Sequence, residues 1–142
     1  IQRLPVSSGR PQLLLDGSDV ILCAAGRMTG EALKAAELLR QKGISARVID
    51  ARFIKPLCAD DYRTIFDTRL PVVTIEDNTE RGGYGDQVLH LRQAQEKPGR
   101  QLCIAWPDAF VSHGSTALLM KKYKIDAEGI AERVERFLEG KA

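Results

Sequence analysis

The sequence lacks several features that would by themselves indicate a function. Its two histidines and three cysteines do not occur with the spacing of a metal site. No apolar run approaches the roughly 20 residues that a membrane-spanning helix needs. The first five residues, Ile1 to Pro5, contain neither a starting Met nor the apolar segment of a signal peptide. We therefore expect a chain without a metal or a membrane segment, cut from something longer.

The sequence also has little excess charge of either sign. It contains 21 basic and 19 acidic side chains, for a net charge of +2. A protein that binds a nucleic-acid duplex usually concentrates basic residues on one face, so nucleic acid is not the expected partner. The basic cluster of Lys121, Lys122 and Lys124 is interpreted as a solvated helix end.

The three cysteines are interpreted as structural. Cys23 and Cys103 lie within apolar, strand-like runs, where cysteine packs as a small hydrophobic residue. Cys58 lies near a predicted helix start, where a thiol pKa can be lowered, but no histidine or second cysteine is near it in sequence. An odd number of unpaired cysteines, with no export signal, predicts a cytosolic protein.

Apolar runs alternate with amphipathic segments along the chain. The run 19–25 does not alternate, which is typical of a strand buried on both faces. Further strands are predicted at 13–15, 46–51, 72–75 and 102–105, and helices at 31–41, from Asp60, at 84–94, at 115–122 and from the cap Asp126. This order predicts an α/β fold: a three-layer sandwich around a five-stranded, mostly parallel sheet with one antiparallel edge strand.

Turn and cap residues refine this prediction. Asp16 and Gly17 favour a hairpin that places the first strand antiparallel beside the second. Thr29 is predicted to cap the first helix, and Gly43 to end it with an apolar contact from Ile44. A turn is expected at Pro98. Residues 1–9 are interpreted as a lead-in and residues 10–142 as one domain.

The stretch 72–87 holds the first candidate site. A short strand there ends on acids, and Gly82, Gly83 and Gly85 then open a helix. Backbone N–H groups at such a helix start can bind phosphate. The spacing matches neither a dinucleotide fingerprint nor a Walker loop, and glycines also allow a helix to pack closely on a strand. The packing role is favoured.

Glu76 and Asp77 have the side chains of acid-base catalysts. Adjacent residues at a strand end point to opposite sides, so a working pair is not expected. Glu76 is instead predicted to accept hydrogen bonds from loop N–H groups or to pair with Arg52. His113 is interpreted as a residue that orders its loop, because the other histidine, His90, lies within a helix.

Trp106, Pro107 and Asp108 form a rigid aromatic turn that is predicted to anchor an interface or the core. The sequence contains no nucleophile elbow, no metal site and no complete cofactor motif. No catalytic, cofactor-binding or metal-binding residue is assigned.

Several blocks of the sequence, taken together, resemble the C-terminal domain of the transketolase-like, thiamine-diphosphate-dependent enzymes. The last two blocks are similar to those of the 1-deoxy-D-xylulose-5-phosphate synthases within this family. The blocks are Gly17-x-Asp19-Val20 with Gly26; Ala32-Leu33-x-Ala35-Ala36; Val48-Ile49-x-Ala51-Arg52-Phe53-Ile54-Lys55-Pro56-Leu57; Val73-Thr74-Ile75-Glu76-Asp77-Asn78 with Gly82-Gly83-x-Gly85; Pro107-Asp108-x-Phe110-Val111-x-His113-Gly114-Ser115; and Ile125-Asp126-Ala127-Glu128-Gly129-Ile130. Cys58 and the pair Ala105-Trp106 depart from the family's commoner residues.

The resemblance implies a three-domain enzyme that condenses pyruvate with glyceraldehyde 3-phosphate and releases carbon dioxide, in isoprenoid and thiamine precursor synthesis. Thiamine diphosphate and magnesium would lie between the two preceding domains, and this chain would bind neither. The chain would brace those domains, help form a homodimer and be inactive alone. Three alternatives remain: a transketolase, a 2-oxoacid dehydrogenase β subunit, or a stand-alone anion-binding regulatory module.

Overall fold

Strands and helices alternate along the chain in a computed structural model that describes residues 7, 9–95 and 99–141. The predicted lead-in therefore lies mostly outside the described residues, as does Pro98 of the predicted turn. In chain order the elements are β1 (Gln12–Leu15), β2 (Val20–Ala24), α1 (Met28–Gln41), β3 (Ala46–Asp50), α2 (Ala59–Phe66), β4 (Val72–Thr79), α3 (Tyr84–Gln93), β5 (Gln101–Trp106), α4 (Thr116–Lys122) and α5 (Ala127–Leu138).

The five strands form one sheet in the order β1-β3-β2-β4-β5. All neighbouring pairs are parallel except β1 with β3, which is antiparallel. This confirms the mostly parallel sheet with one antiparallel edge strand. The carboxyl ends of β2, β3, β4 and β5 therefore lie at the same edge of the sheet, which we call the carboxyl edge.

The predicted hairpin between the first two strands is wrong, because β1 pairs with β3. The N–H groups of Ser18 and Asp19 both donate to the Ser45 carbonyl, at 3.1 and 2.9 Å. A Cβ at position 17 would lie 2.3 Å from the Ala46 carbonyl carbon, so Gly17 allows this close crossing. Residues 16–19 thus cross the start of β3, and the chain then enters the sheet as β2, on the side of β3 opposite to β1.

Two hydrophobic cores, one on each face of the sheet, confirm the three layers. One core joins the sheet to α1, α4 and α5, and the other joins it to α2 and α3. The first is built around Leu22, Leu39, Val73, Ile130 and Phe137, and the second around Ile21, Ile49, Tyr62, Tyr84 and Val88.

Helix α1 begins three residues earlier than predicted. Gly26 adopts a positive φ of 62°, and the helix starts at Met28 without a side-chain cap. Thr29, predicted as the cap, lies inside the helix and donates to Asp50 Oδ1 at 3.4 Å. The helical spacing of Ala32, Ala35, Ala36 and Leu39 predicts that they share one apolar face, with Leu33 at its margin. The four are buried, whereas Leu33 is 38% exposed.

The C-terminal end of α1 and the N-terminal cap of α5 lie where the sequence predicted them. Gly43 has φ 81°, and the Ile44 N–H donates to the Leu39 carbonyl at 3.0 Å, which confirms the glycine termination of α1. Asp126 caps α5 by accepting from the Gly129 N–H at 3.0 Å. None of the helices in the described part of the chain combines the length and the apolar character that crossing a membrane requires.

Candidate functional site at the carboxyl edge

A cleft of about 640 Å³ lies at the carboxyl edge of the sheet. The loops that follow β2, β3 and β4 line it, together with the first turn of α3. Parallel sheets bind their ligands in this position, because the loops there converge while the strands hold them in place. We therefore take this cleft as the candidate site.

Glu76 fixes the start of α3 beneath the cleft. Its side chain is 3% exposed, and its two carboxylate oxygens accept from the backbone N–H groups of Tyr84 and Gly85, both at 2.8 Å. A negative charge at a helix N-terminus is favourable because the first N–H groups there have no partner within the helix. The predicted structural role of Glu76 is confirmed.

The glycines of this loop provide space for that carboxylate. A Cβ at Gly83 would lie 2.2 Å from Glu76 Oε2, and one at Gly85 would lie 2.8 Å from both Cys103 Sγ and Thr74 Oγ1. Side chains at either position would push α3 away from the strands. The favoured packing role of the glycine loop follows from these distances.

The same geometry weakens the phosphate alternative. Two N–H groups of the first helical turn already donate to Glu76, and the Gly82 N–H donates to Asp86 Oδ2 at 2.5 Å. The position that a bound phosphate would take is held by carboxylates of the chain itself.

Asp77 points away from Glu76 and joins three loops. It accepts from Trp106 Nε1 at 2.7 Å and from Arg27 Nε at 2.5 Å, and the Arg27 guanidinium also contacts Met120 Sδ at 3.2 Å. Partial burial opposes ionisation, but the hydrogen bonds from Trp106 and Arg27 outweigh it and lower the pKa of Asp77. Glu76 and Asp77 therefore do not form a working pair.

Of the two partners predicted as alternatives for Glu76, Arg52 is not the one used: Glu76 accepts from backbone N–H groups, and Arg52 bonds elsewhere. Its backbone takes a positive φ of 56°, and its N–H donates to Asp50 Oδ1 at 3.0 Å. Its guanidinium donates to Gln12 Oε1 on the edge strand. The turn at Arg52 thus directs its side chain toward β1.

A buried cluster under the cleft was not anticipated from the sequence. The hydroxyls of Tyr62 and Tyr84 lie 2.9 Å apart, and both residues are almost fully buried beside Cys23. Burial raises the pKa of the Cys23 thiol to about 12, and burial also raises the pKa of both tyrosines. The buried position of Cys23 was predicted; the tyrosine pair joins α2 to α3, a contact that no local motif indicates.

The remaining candidates lie apart from the cleft's interior. His113 is exposed, and its predicted loop-ordering role stays a prediction. His90 is exposed on α3. Cys58 precedes α2, and its N–H donates to the Gly9 carbonyl at 3.0 Å. Cys103 is half-buried.

The aromatic turn and the lysine cluster lie near α4. The Trp106 ring packs edge-on against Tyr123, with centroids 5.7 Å apart, which supports an anchoring role. Lys121 and Lys122 lie in the last turn of α4, and Lys124 pairs with Glu132 at 2.6 Å. The interpretation as a solvated helix end holds for this cluster.

Within residues 9–95 and 99–141, no three histidine, cysteine or acidic side chains come together in a way that could hold a metal ion.

Comparisons with known proteins agree with this architecture. The profile of the transketolase C-terminal domain family matches residues 9–130. A 1-deoxy-D-xylulose-5-phosphate synthase from Syntrophotalea carbinolica is 38% identical over 140 residues, covering 97% of this chain and 22% of the relative. A synthase of the same name from Pelotomaculum thermopropionicum is 40% identical over 131 residues, covering 91% of the chain and 21% of the relative.

Among solved structures, a split-gene transketolase, described as an inactive beta4 tetramer, superposes with a TM-score of 0.84 at 32% identity. That superposition covers 98% of this chain and 45% of the other. A transketolase from Pichia stipitis, at 19% identity and a TM-score of 0.66, shares the fold. The chain spans about a fifth of the length of the two synthases. It belongs to the transketolase C-terminal domain family.

Proposed function

We propose that this chain is the C-terminal domain of a 1-deoxy-D-xylulose-5-phosphate synthase. The observation that carries the proposal is the identity of 38% over 140 residues to a synthase of that name. The complete enzyme would condense pyruvate with glyceraldehyde 3-phosphate, release carbon dioxide, and supply precursors of isoprenoids and thiamine in the cytosol.

The domain's role in this proposal is to brace the enzyme. Thiamine diphosphate would be held with magnesium by the preceding domains, and it would supply the electron sink for decarboxylation. The residues of this chain contribute rigidity instead: Glu76 fixes the start of α3, and Asp77 ties Arg27 to Trp106. A rigid domain beside the cofactor domains would hold them in place and extend the homodimer contact.

The test is an activity assay on two forms of the protein. The intact protein that contains this chain should form 1-deoxyxylulose 5-phosphate from pyruvate and glyceraldehyde 3-phosphate when thiamine diphosphate and magnesium are supplied. The 142-residue chain under the same conditions should form none. Turnover by the chain alone would overturn the bracing role.

A second candidate is a transketolase, favoured by the superposition on the split-gene transketolase at 32% identity. The choice of donor separates the two activities, because a synthase consumes pyruvate with release of carbon dioxide and a transketolase consumes a ketose phosphate without it. Turnover of a ketose phosphate with no use of pyruvate would replace the first proposal with this one.

The stand-alone anion-binding module can be tested with the chain by itself. Since the N–H groups of Tyr84 and Gly85 donate to Glu76, calorimetry with inorganic phosphate or nucleotides should show no saturable heat. Saturable binding at the carboxyl edge would support a regulatory module.

A further inference from the structure

Phe110 is the most exposed large hydrophobic residue among those described. Its side chain has a relative exposure of 107%, so it contacts essentially none of the residues that the structure describes. Leu118, nearby in sequence, is 69% exposed. A phenyl ring held fully in water is typical of a surface that another structure covers, and aromatic side chains are common anchors of interfaces.

The loop that carries Phe110 is fixed at both ends. On one side, the Glu80 N–H donates to the Trp106 carbonyl at 2.9 Å and the Ala109 N–H donates to the Pro107 carbonyl at 2.8 Å. On the other side, Ser115 caps α4. Because the loop is held in this way, binding through Phe110 would need little additional ordering.

Residues 9 and 10 lie at the carboxyl edge as well. The Gly9 carbonyl accepts from the Cys58 N–H at 3.0 Å, and Arg10 lies 3.6 Å from Asp61. These contacts place Gly9 and Arg10 beside the loop that leaves the end of β3 and the first turn of α2. The Syntrophotalea carbinolica synthase matches this chain over only 22% of its length, so the proposed enzyme has further domains that can cover this edge.

Phe110 follows β5, so it lies at the other end of the same edge. Three strand spacings separate β3 from β5, or about 15 Å at 4.8 Å each. The 640 Å³ cleft lies between them. Gly9, the cleft and Phe110 thus belong to one surface that a single neighbouring domain can cover.

We propose that the carboxyl edge, anchored by Phe110, docks onto the preceding part of the same enzyme, with the phenyl ring in an apolar pocket there. The proposal rests on the proposed function in requiring those preceding domains. It extends that function by naming the surface and the residue that carry the contact. A second copy of this chain is the rival occupant.

Site-specific crosslinking tests the proposal directly. The photoreactive residue p-benzoylphenylalanine replaces Phe110 in the intact protein, and mass spectrometry maps the crosslinks. We expect crosslinks to residues that precede this chain in sequence. Crosslinks to residues 9–141 of a second copy, or none, would overturn the proposal. The same replacement at Leu89, which is 39% exposed on α3, is the control and should not give the same crosslinks.

A substitution tests the strength of the contact. Phe110→Asp in the intact protein should increase the rate of limited proteolysis between this domain and the preceding ones at least ~10-fold, as expected for a central interface anchor. Leu89→Asp should leave that rate unchanged. An unchanged rate for Phe110→Asp would contradict the proposal. Neither readout depends on turnover, so docking can be established even where the enzyme proves to have another activity.

Discussion

A Cβ on Gly83 would lie 2.2 Å from Oε2 of Glu76, closer than real side-chain contacts allow. The glycine and the carboxylate therefore form one unit: Glu76 reaches the N–H groups of α3 only because position 83 has no side chain. Gly83 has a negative φ of −89°, so its role is to provide space and not to adopt an unusual backbone conformation.

Gly83→Ala is expected to destabilise the domain by about 2 kcal/mol, because it overfills a buried corner. Urea denaturation measures the change. Gly30→Ala is the matched control: a Cβ there meets nothing within 4 Å, so the change should be neutral or should stabilise the helix by up to about 1 kcal/mol. An equal loss in both variants would contradict the steric explanation.

The Gly83→Val variant separates structure from chemistry in the intact enzyme. It should lower the melting temperature or the dimer fraction before it lowers turnover per folded dimer. Reduced turnover with unchanged melting and dimerisation would show that this loop belongs to the active site after all.

Glu76→Gln should cost about 3 kcal/mol of unfolding free energy. Both carboxylate oxygens of Glu76 accept from backbone N–H groups, those of Tyr84 and Gly85. Glutamine is uncharged and has only one side-chain oxygen, so its N–H₂ group would face one of these N–H donors and leave that donor without an acceptor. Glu37→Gln, on the exposed side of α1, is the control and should change stability far less, because solvent screens the ion pair of Glu37 with Arg40. In a Glu76→Ala background the cost of Gly83→Ala should shrink, since the clashing carboxylate is gone.

Trp106→Phe should cost about 0.5–1 kcal/mol at pH 7, because the partly exposed Asp77 loses its indole donor. The folded-state pKa of Asp77 is lowered, so this contribution is present above the unfolded pKa and lost as pH falls through the folded one. The part of the difference that comes from Asp77 should therefore vanish in acid, and any cost of lost packing against Tyr123 should remain at every pH. In an Asp77→Asn background the pH dependence of the Trp106→Phe difference should be absent.

The buried thiol predicts a loss of stability in alkali. The pKa of Cys23 is about 12 in the folded protein against a usual 9.0, because burial disfavours the thiolate. Between these values the folded state holds a proton that the unfolded state has lost, so stability falls by about 1.4 kcal/mol per pH unit from this group.

The check is denaturation at several pH values above 9. Cys23→Ala should reduce the alkaline slope, whereas Val88→Ala, in the same core, should lower stability by a similar amount at every pH. An unchanged slope in Cys23→Ala would show that the thiol does not ionise in the way described.

Much of the fold could be predicted from the sequence because its signals are local. The alternation of apolar runs with amphipathic segments identified the five strands and five helices of the described part of the chain, and Gly43 and Asp126 marked helix ends correctly. Boundaries were less accurate: β4 runs to Thr79, four residues beyond the predicted end, because Thr79 pairs with Trp106 on β5. That pairing is a contact between strands, which the pattern of either strand alone does not contain.

The site shows the same division between local and nonlocal information. Adjacent acids at a strand end implied that Glu76 and Asp77 point apart, which is a property of strand geometry. Their partners, such as Trp106 for Asp77, lie 8 to 50 residues away in sequence. The sequence offered two partners for Glu76, and the choice depended on which loop packs over the strand end.

The sequence by itself determined the order of elements, the buried faces of the helices and the similarity to one family, since each depends on residue type at short spacing. Tertiary structure alone decided that β1 lies beside β3, that Glu76 holds the start of α3, and that Phe110 is left without a contact. These features depend on which side chains and backbone segments pack against each other in the folded protein, because the free energy of burying surface depends on neighbours in space. Those neighbours come from distant parts of the sequence, so no short segment determines them.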